Sequence, residues 1–288
     1  MKNTHPESAL SVAHDSPSVV VSAPFLKWAG GKRRLLPLLL PLLPTGERLV
    51  EPFVGGGSVF LSTRFPTYAL SDGNEDLMQV YKTVRDRLPA LMTVARSLFV
   101  EENRCEEAYR HHRETFNTTD EPLLKAGLFI YLNRFGFNGL CRYNAHGDFN
   151  VPYGWPRKVP RLPVEELAIC SLRLASAELT TGDFTDAMKA ARPSDVVYCD
   201  PPYLDLNGNR SFTGYTASGF GLEQHEAIVD IAVYLSRKGV PVLISNHDSP
   251  QTRELYGGAT LHSVKVRRSI SADISSRKAV GELIAVFS

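Results

Sequence analysis

Two short runs, Asp195–Cys199 (DVVYC) and Val240–Ser245 (VPVLIS), are nearly continuous in apolar residues, and they constrain the fold most. A strand that is apolar on both faces needs cover on both faces, which a chain supplies with parallel strands and crossover helices. Further β-branched runs stand at Arg48–Phe53 (RLVEPF), Leu261–Val266 (LHSVKV) and Glu282–Phe287 (ELIAVF). Tyr68–Asp72 reads as a short strand ending in a carboxylate. Helix-like spans lie between them, clearest at Leu222–Leu235, where Ile228, Ile231, Ala232 and Leu235 recur at helical spacing. Strands alternating with helices predict a doubly wound α/β sheet. The length of 288 residues suits one large domain or a core with one subdomain.

One region breaks the alternation. From Gly73 to Pro163 the pattern is mainly helical and ends in a loop-rich stretch, which predicts a lobe (73–163) inserted into a core of residues 24–72 and 164–288. Within Leu128–Arg161, five basic residues (Arg134, Arg142, Arg157, Lys158, Arg161) stand against one acid, Asp148, and eight aromatics share the same 34 residues. Cations for phosphates, rings for stacking and amides for base edges are what a nucleic-acid surface requires. A small aromatic core with a solvated rim would have the same composition, so composition leaves both readings open. The net charge of +1 excludes a histone-like binder and an acidic tail, but not a local basic face.

Cys105, Cys141, Cys170 and Cys199 form no CxxC or Cys/His cluster, which predicts reduced structural thiols rather than a zinc site or a disulfide framework. The apolar run Leu35–Leu43 is broken by Pro37 and Pro41 and is too short to span a bilayer. With no signal-like N-terminus, a cytoplasmic protein without a membrane partner is expected. Residues 1–23, rich in Ser, Pro and His, read as a mobile tail.

Three motifs carry chemistry. Gly55-Gly56-Gly57 follows a strand and lets backbone approach a ligand closely. It does not complete GxGxxG, because the last position is Phe60, and Gly30-Gly31-Lys32 is not a phosphate loop, because Arg33 follows and Leu26 occupies the first glycine position. An unphosphorylated nucleoside ligand or a structural turn remain. Asp72, some twenty residues on, fits a ribose acceptor or the N-cap of a helix beginning near Glu75. Asp200-Pro201-Pro202-Tyr203 directly follows the apolar strand DVVYC. Its prolines stiffen the turn. The Asp200 carboxylate and the Pro201 carbonyl can both accept hydrogens from one amino group, and Tyr203 offers a face for a base.

FLKWAGGK at Phe25–Lys32, EPFVGGGSVF at Glu51–Phe60 and DPPY at Asp200–Tyr203 resemble, in that order, the motifs of the DNA adenine methyltransferase (Dam) family. NRFGFNGLCRYN, GDFNVPYG, SFTGYTASGF, VPVLISNHD and VKVRRSIS are similar to Dam segments too, so the likeness runs from about Pro24 to the C-terminus. It implies a Rossmann-like methyltransferase core of the α class with an inserted, mainly helical target-recognition lobe. It also implies a monomer that binds double-stranded DNA and transfers a methyl group from S-adenosylmethionine, without a metal, to N6 of an extruded adenine, within GATC. On the matching positions, Trp28, Lys32, Gly55, Gly56, Gly57 and Asp72 would bind the cofactor, next to Asp200. Asp200, Pro201, Pro202 and Tyr203 would be catalytic. Lys27, Asn138, Leu140, Arg142, Asn144 and Pro152 would contact DNA near the target site, and Arg113 a phosphate.

Two departures from the family pattern are visible. Gly73 stands where an apolar residue is usual, which loosens the expected cofactor rim. Pro152-Tyr153-Gly154-Trp155-Pro156-Arg157-Lys158 differs from the usual aromatic and basic order, and the resemblance implies that Trp155, displaced by one position, would supply the intercalating aromatic, with Arg157 among the DNA contacts. The modification half of a restriction system would share every motif. A methyltransferase of RNA or protein glutamine fits the Asp of DPPY and the basic lobe less well. A catalytically dead DNA-binding module fits the intact motifs poorly.

Overall fold

The chain pairs its strands through the runs identified above. The computed structural model describes residues 22–203, 220–266 and 280–288. The expected tail, apart from its last two residues, lies outside them, as do all of SFTGYTASGF but Phe220 and the part of VKVRRSIS after Val266. The described residues form a seven-stranded sheet of β1 (Arg48–Glu51), β2 (Thr67–Asp72), β3 (Ala177–Thr181), β4 (Asp195–Cys199), β5 (Val242–His247), β6 (Thr260–Val266) and β7 (Val280–Phe287). The strand order is β3-β2-β1-β4-β5-β7-β6, with β1 to β5 parallel and β7 antiparallel to both of its neighbours. The helices are α1 (Leu36–Leu39), α2 (Glu75–Leu98), α3 (Glu106–Thr118), α4 (Pro122–Phe135), α5 (Val164–Leu174), α6 (Phe184–Lys189), α7 (Leu222–Ser236) and α8 (Pro250–Leu255).

The doubly wound reading rests on side-chain alternation. Leu49, Val196, Tyr198, Leu243 and Ile284 join a cluster that runs beneath α2, α4 and α5. Their strand neighbours Val50, Val197, Cys199, Val242, Ile244, Leu283 and Ala285 join a second cluster with Ile228 and Leu235 of α7. All five residues of β4 are buried, as two-sided cover requires. At its start, Asp195 accepts from Arg48 Nε (3.1 Å) and Nη2 (2.7 Å), a two-point bond that pins β4 to β1.

Several boundaries differ from expectation, each for a stated reason. β1 stops at Glu51 because Pro52 has no N–H for the ladder, and β5 starts at Val242, after Pro241, for the same reason. β3 (AELTT) was not anticipated: it is an edge strand whose burial is confined mainly to Ala177, so it lacks an apolar pattern. Nor was β7 expected to run antiparallel between β5 and β6, since an apolar run does not encode direction.

The stretch after β2 is helical through Phe135. Asn74 caps α2, its Oδ1 accepting from Leu77 N (2.9 Å). At Arg87 (φ −138°, ψ 30°) the helix breaks, two residues before Pro89. α4 is buried from Ala126 through Asn133, the signature of a helix packed all round. Among the described residues the 136–163 stretch carries a short 3-10 turn at Phe137–Gly139 and two isolated bridges, Gly136 with Tyr153 and Tyr143 with Phe149. Much of its aromatic content is packed: Phe149 and Tyr153 are buried against Phe116 and Tyr109. No helix among the described residues is long and apolar enough to cross a membrane.

Candidate active site

In an open α/β sheet the chain reverses direction of winding at one point, and the crevice outside the carboxyl ends of the strands there is where ligands bind. Here that point lies between β1 and β4, and a cavity of ≈ 1310 Å³ opens at it. Glu51 ends β1, Asp72 ends β2 and Asp200 follows β4, so three carboxylates meet at one rim.

The glycine loop is held closely from both sides. Gly55 and Gly57 take left-handed conformations (φ 48° and 73°), which favour glycine. A Cβ on Gly55 or Gly56 would fall 2.7 Å from Trp28 Nε1 or 2.9 Å from Trp28 Cβ. One on Gly57 would fall 2.8 Å from the Tyr81 hydroxyl, so Gly57 faces α2 and does not line the cavity as Gly55 and Gly56 do. Asp72 is not the cap of α2. The helix cap is Asn74. Asp72 Oδ2 instead accepts from Gly55 N and Oδ1 from Asn74 N, both at 3.0 Å. Burial pushes its carboxyl up to about 6, against those two amides.

Across the rim, Asp200 Oδ1 meets Lys32 Nζ at 2.7 Å and accepts from Ser245 Oγ at 3.0 Å. Lys32 itself is buried, donates to Gly30 O (2.8 Å) and lies 4.7 Å from the centre of the Tyr203 ring. Sequence reasoning put Lys32 with the glycine loop. The structure joins it to the carboxylate of the Asp200–Tyr203 turn as well. Desolvation raises the pKa of Asp200, while Lys32 and Ser245 oppose that shift. Asp200 Oδ2 has no hydrogen-bond partner among the described residues.

The rest of the turn is braced from behind. Tyr203 donates to Glu282 Oε2 (2.6 Å) and meets the edge of His247 at 4.1 Å between ring centres. His225, fully buried, reaches the Pro202 carbonyl through Nε2 at 3.0 Å. A carbonyl only accepts, so Nε2 carries the proton, and burial keeps this ring neutral with a pKa lowered to about 4. Ser245, His225, Glu282 and Glu51 were not singled out from sequence. Glu51 alone had a legible signal, an acid at a strand end four residues before the first glycine of the turn.

Glu51 Oε1 is buried without a partner among the described residues, and desolvation, with the charge of Asp200, holds its carboxyl well above the usual range. An orphaned buried acceptor beside a close-packed glycine cradle suits a ligand that carries both a cation and a nucleoside. The cavity is also larger than one small ligand commonly needs.

The other predicted residues divide. Lys27, Trp28, Asn138, Leu140, Pro201, Pro202 and Tyr203 line the same cavity. Arg113, Arg142, Asn144, Pro152, Trp155 and Arg157 do not. Arg142 donates to Asn150 Oδ1 (2.7 Å) and O (3.0 Å), and Arg113 to Val151 O (3.1 Å). The Asn144 side chain shapes its own turn through His146 N, Asp148 N and Asp148 Oδ2. Pro152, Arg157 and above all Trp155, 70% exposed at φ 51°, project from the surface.

Sheet order and a switch-point cavity shared by the glycine and proline turns define a Rossmann-like α/β protein. Residues 28–270 match the D12 class N6 adenine-specific DNA methyltransferase family, and the chain belongs to it. It is 49% identical to a DNA adenine methylase of Escherichia coli (strain K12) over 263 residues, 91% of this chain and 94% of that one. It is 48% identical to the DNA adenine methylase of Salmonella typhi over the same shares, and 44% identical to that of Vibrio cholerae over 91% and 95%.

Proposed function

We propose that this protein transfers the methyl group of S-adenosylmethionine to the exocyclic N6 of an adenine extruded from duplex DNA, within GATC, and that it does so as a cytoplasmic monomer. The observation that carries this reading is the single cavity in which the glycine loop of β1 faces the Asp200–Tyr203 turn of β4, with Lys32 touching the latter.

S-adenosylmethionine supplies the methyl group on a sulfonium centre, whose sulfur keeps the electron pair of the breaking bond. Trp28, Gly55 and Gly56 would pack against its nucleoside, Asp72 would accept from its ribose and Glu51 from its ammonium group. Asp200 Oδ2 and the Pro201 carbonyl would accept the two amino hydrogens of the adenine and turn the nitrogen lone pair out of the ring system. Tyr203, fixed by Glu282, would stack on the base, and His225 would hold the turn through Pro202. The amino group becomes acidic as its N–C bond forms, and Asp200, with its raised pKa, can hold the released proton at Oδ2 on the way to solvent. Most of the acceleration would come from holding two reactants in register.

Residues 73–163 would form the target-recognition lobe on the core of residues 24–72 and 164–288. Lys27, Asn138, Leu140, Arg142, Asn144 and Pro152 would meet the site, Arg113 and Arg157 the phosphates, and Trp155 would fill the gap left by the extruded base. Incubation with unmethylated plasmid and labelled cofactor, followed by methylation-sensitive digestion, tests this: label must appear and GATC must be protected. Label without protection at GATC would remove the site preference, and no label would remove the activity.

A further inference from the structure

We infer that Asn133, at the end of α4, is the positioning residue through which cofactor and DNA binding are coupled. The inference rests on the reading of the cavity as a cofactor site and of the 137–142 loop as DNA-facing. The side-chain amide of Asn133 is buried and fully used. Its Oδ1 accepts from Lys27 N (2.9 Å), while Nδ2 donates to Lys27 O (2.8 Å) and to Gly139 O (3.1 Å). The oxygen and both amide hydrogens are thus each engaged, by two loops that are 106 and 6 residues away in sequence.

Those two loops serve different ligands. Lys27 directly precedes Trp28, whose ring packs on Gly55 and Gly56 in the cavity wall. Gly139 lies between Asn138 and Leu140, which line the same cavity from the lobe side. Both peptide groups of Lys27 that could let this segment pivot are tied to Asn133, and Arg134, the next residue on α4, donates to Phe25 O. The second loop is close against the first: a Cβ on Gly139 would fall 2.5 Å from Lys27 Cβ and Cδ. It also holds Asn138 in a left-handed conformation (φ 54°), next to Gly139 (φ 63°), which adopts one without cost. In a residue other than glycine such a conformation persists only where its surroundings over-determine it, and the bond to Asn133 is one of the constraints that do so.

A shift of Trp28 on cofactor binding therefore has a hydrogen-bonded route to Asn138–Arg142 through the Asn133 amide, beside the packing of Lys27 on Gly139. Coupling between two ligands is reciprocal, so either affinity can report it. The experiment measures binding of S-adenosylhomocysteine by calorimetry, with and without a GATC duplex, to the full chain and to the variants Asn133→Ala and Asn133→Asp. The aspartate keeps the size and the acceptor for Lys27 N but turns its other oxygen toward two carbonyls. Wild type should show a coupling factor on the order of ten, and both variants less than about two. Their affinity for S-adenosylhomocysteine alone should stay near that of wild type. An architectural Asn133 would lower the melting temperature and both affinities while preserving their ratio, which would overturn the inference.

A second measurement needs no variant. In wild type, S-adenosylhomocysteine alone should slow amide hydrogen exchange across residues 136–142, and unchanged exchange there would equally overturn it. Absence of S-adenosylhomocysteine binding to wild type would sink the reading of the cavity itself. Binding with a coupling factor of one would sink only the role of Asn133.

Discussion

The cavity rim and the 137–158 stretch treat their polar side chains differently. At the rim, Asp72, Asp200, Lys32 and Tyr203 each arrive with partners inside the protein, and the polar positions are set before a ligand enters. In the stretch, Trp155, Arg157 and Pro152 stand in solvent, while Arg142 and Asn144 are spent on their own loop. Transfer chemistry rewards groups that need no rearrangement at the moment of reaction. The DNA-reading role proposed for the stretch would instead exchange internal bonds for bonds to DNA and meet that cost on binding.

Substitutions sharpen this contrast, beginning at the rim. Asp200→Ala should lower single-turnover methyl transfer by on the order of 10³-fold or more while duplex affinity stays nearly constant. Gel-shift and labelling assays on the same preparation would check it, and retained turnover would refute the assignment. Lys32→Met should come next. Without the ammonium at 2.7 Å the Asp200 carboxyl rises further, so the acid limb of the rate–pH profile should move to higher pH, about tenfold in rate at fixed pH per unit moved. An unmoved profile would mean that Lys32 does not tune Asp200.

Asp72 supplies the pH dependence of binding. Its carboxyl titrates near 6, so S-adenosylhomocysteine affinity should fall as pH drops through that value, and Asp72→Asn should bind weakly at every pH. The sign for stability is opposite. Between the ordinary carboxylate range and 6 the folded state holds a proton that the unfolded chain has lost, so this group makes unliganded stability decline as pH rises through that window. Thermal melts of wild type against Asp72→Asn would show whether that slope disappears.

Smaller effects belong to the surface. Trp155→Ala should reduce kcat/KM for a GATC duplex by roughly tenfold, since stacking of one aromatic contributes ~1–3 kcal/mol, and leave cofactor affinity alone. A large loss of cofactor affinity would mean that the two regions are not separable there. Arg157→Ala should lower the slope of log affinity against log salt by about one, with little change in site preference.

The sequence made the rim legible because its chemistry needs rare residue types in fixed order at strand ends. Asp200–Tyr203 and Gly55–Gly57 lie at the carboxyl ends of neighbouring strands, and strand neighbourhood brings them together. Partners contributed from elsewhere in the chain were not legible. Ser245 reaches Asp200 from 45 residues away, and Asn133 reaches Lys27 from 106, through pairings that no local pattern encodes. β3 stayed hidden because an edge strand with little burial carries no hydrophobic period, and the direction of β7 because an apolar run fits either orientation. Within residues 128–161 composition could not say which rings pack: Phe149 and Tyr153 are buried, whereas Trp155 is exposed.

The central claim is that Asp200 and the Pro201 carbonyl grip the amino nitrogen of an everted adenine. A crystal structure of the protein with a GATC duplex and S-adenosylhomocysteine tests it most directly. The account predicts adenine N6 within about 2.7–3.2 Å of both Asp200 Oδ2 and Pro201 O. An adenine still stacked in the duplex, or an N6 out of reach while Asp200 remains paired with Lys32, would contradict it.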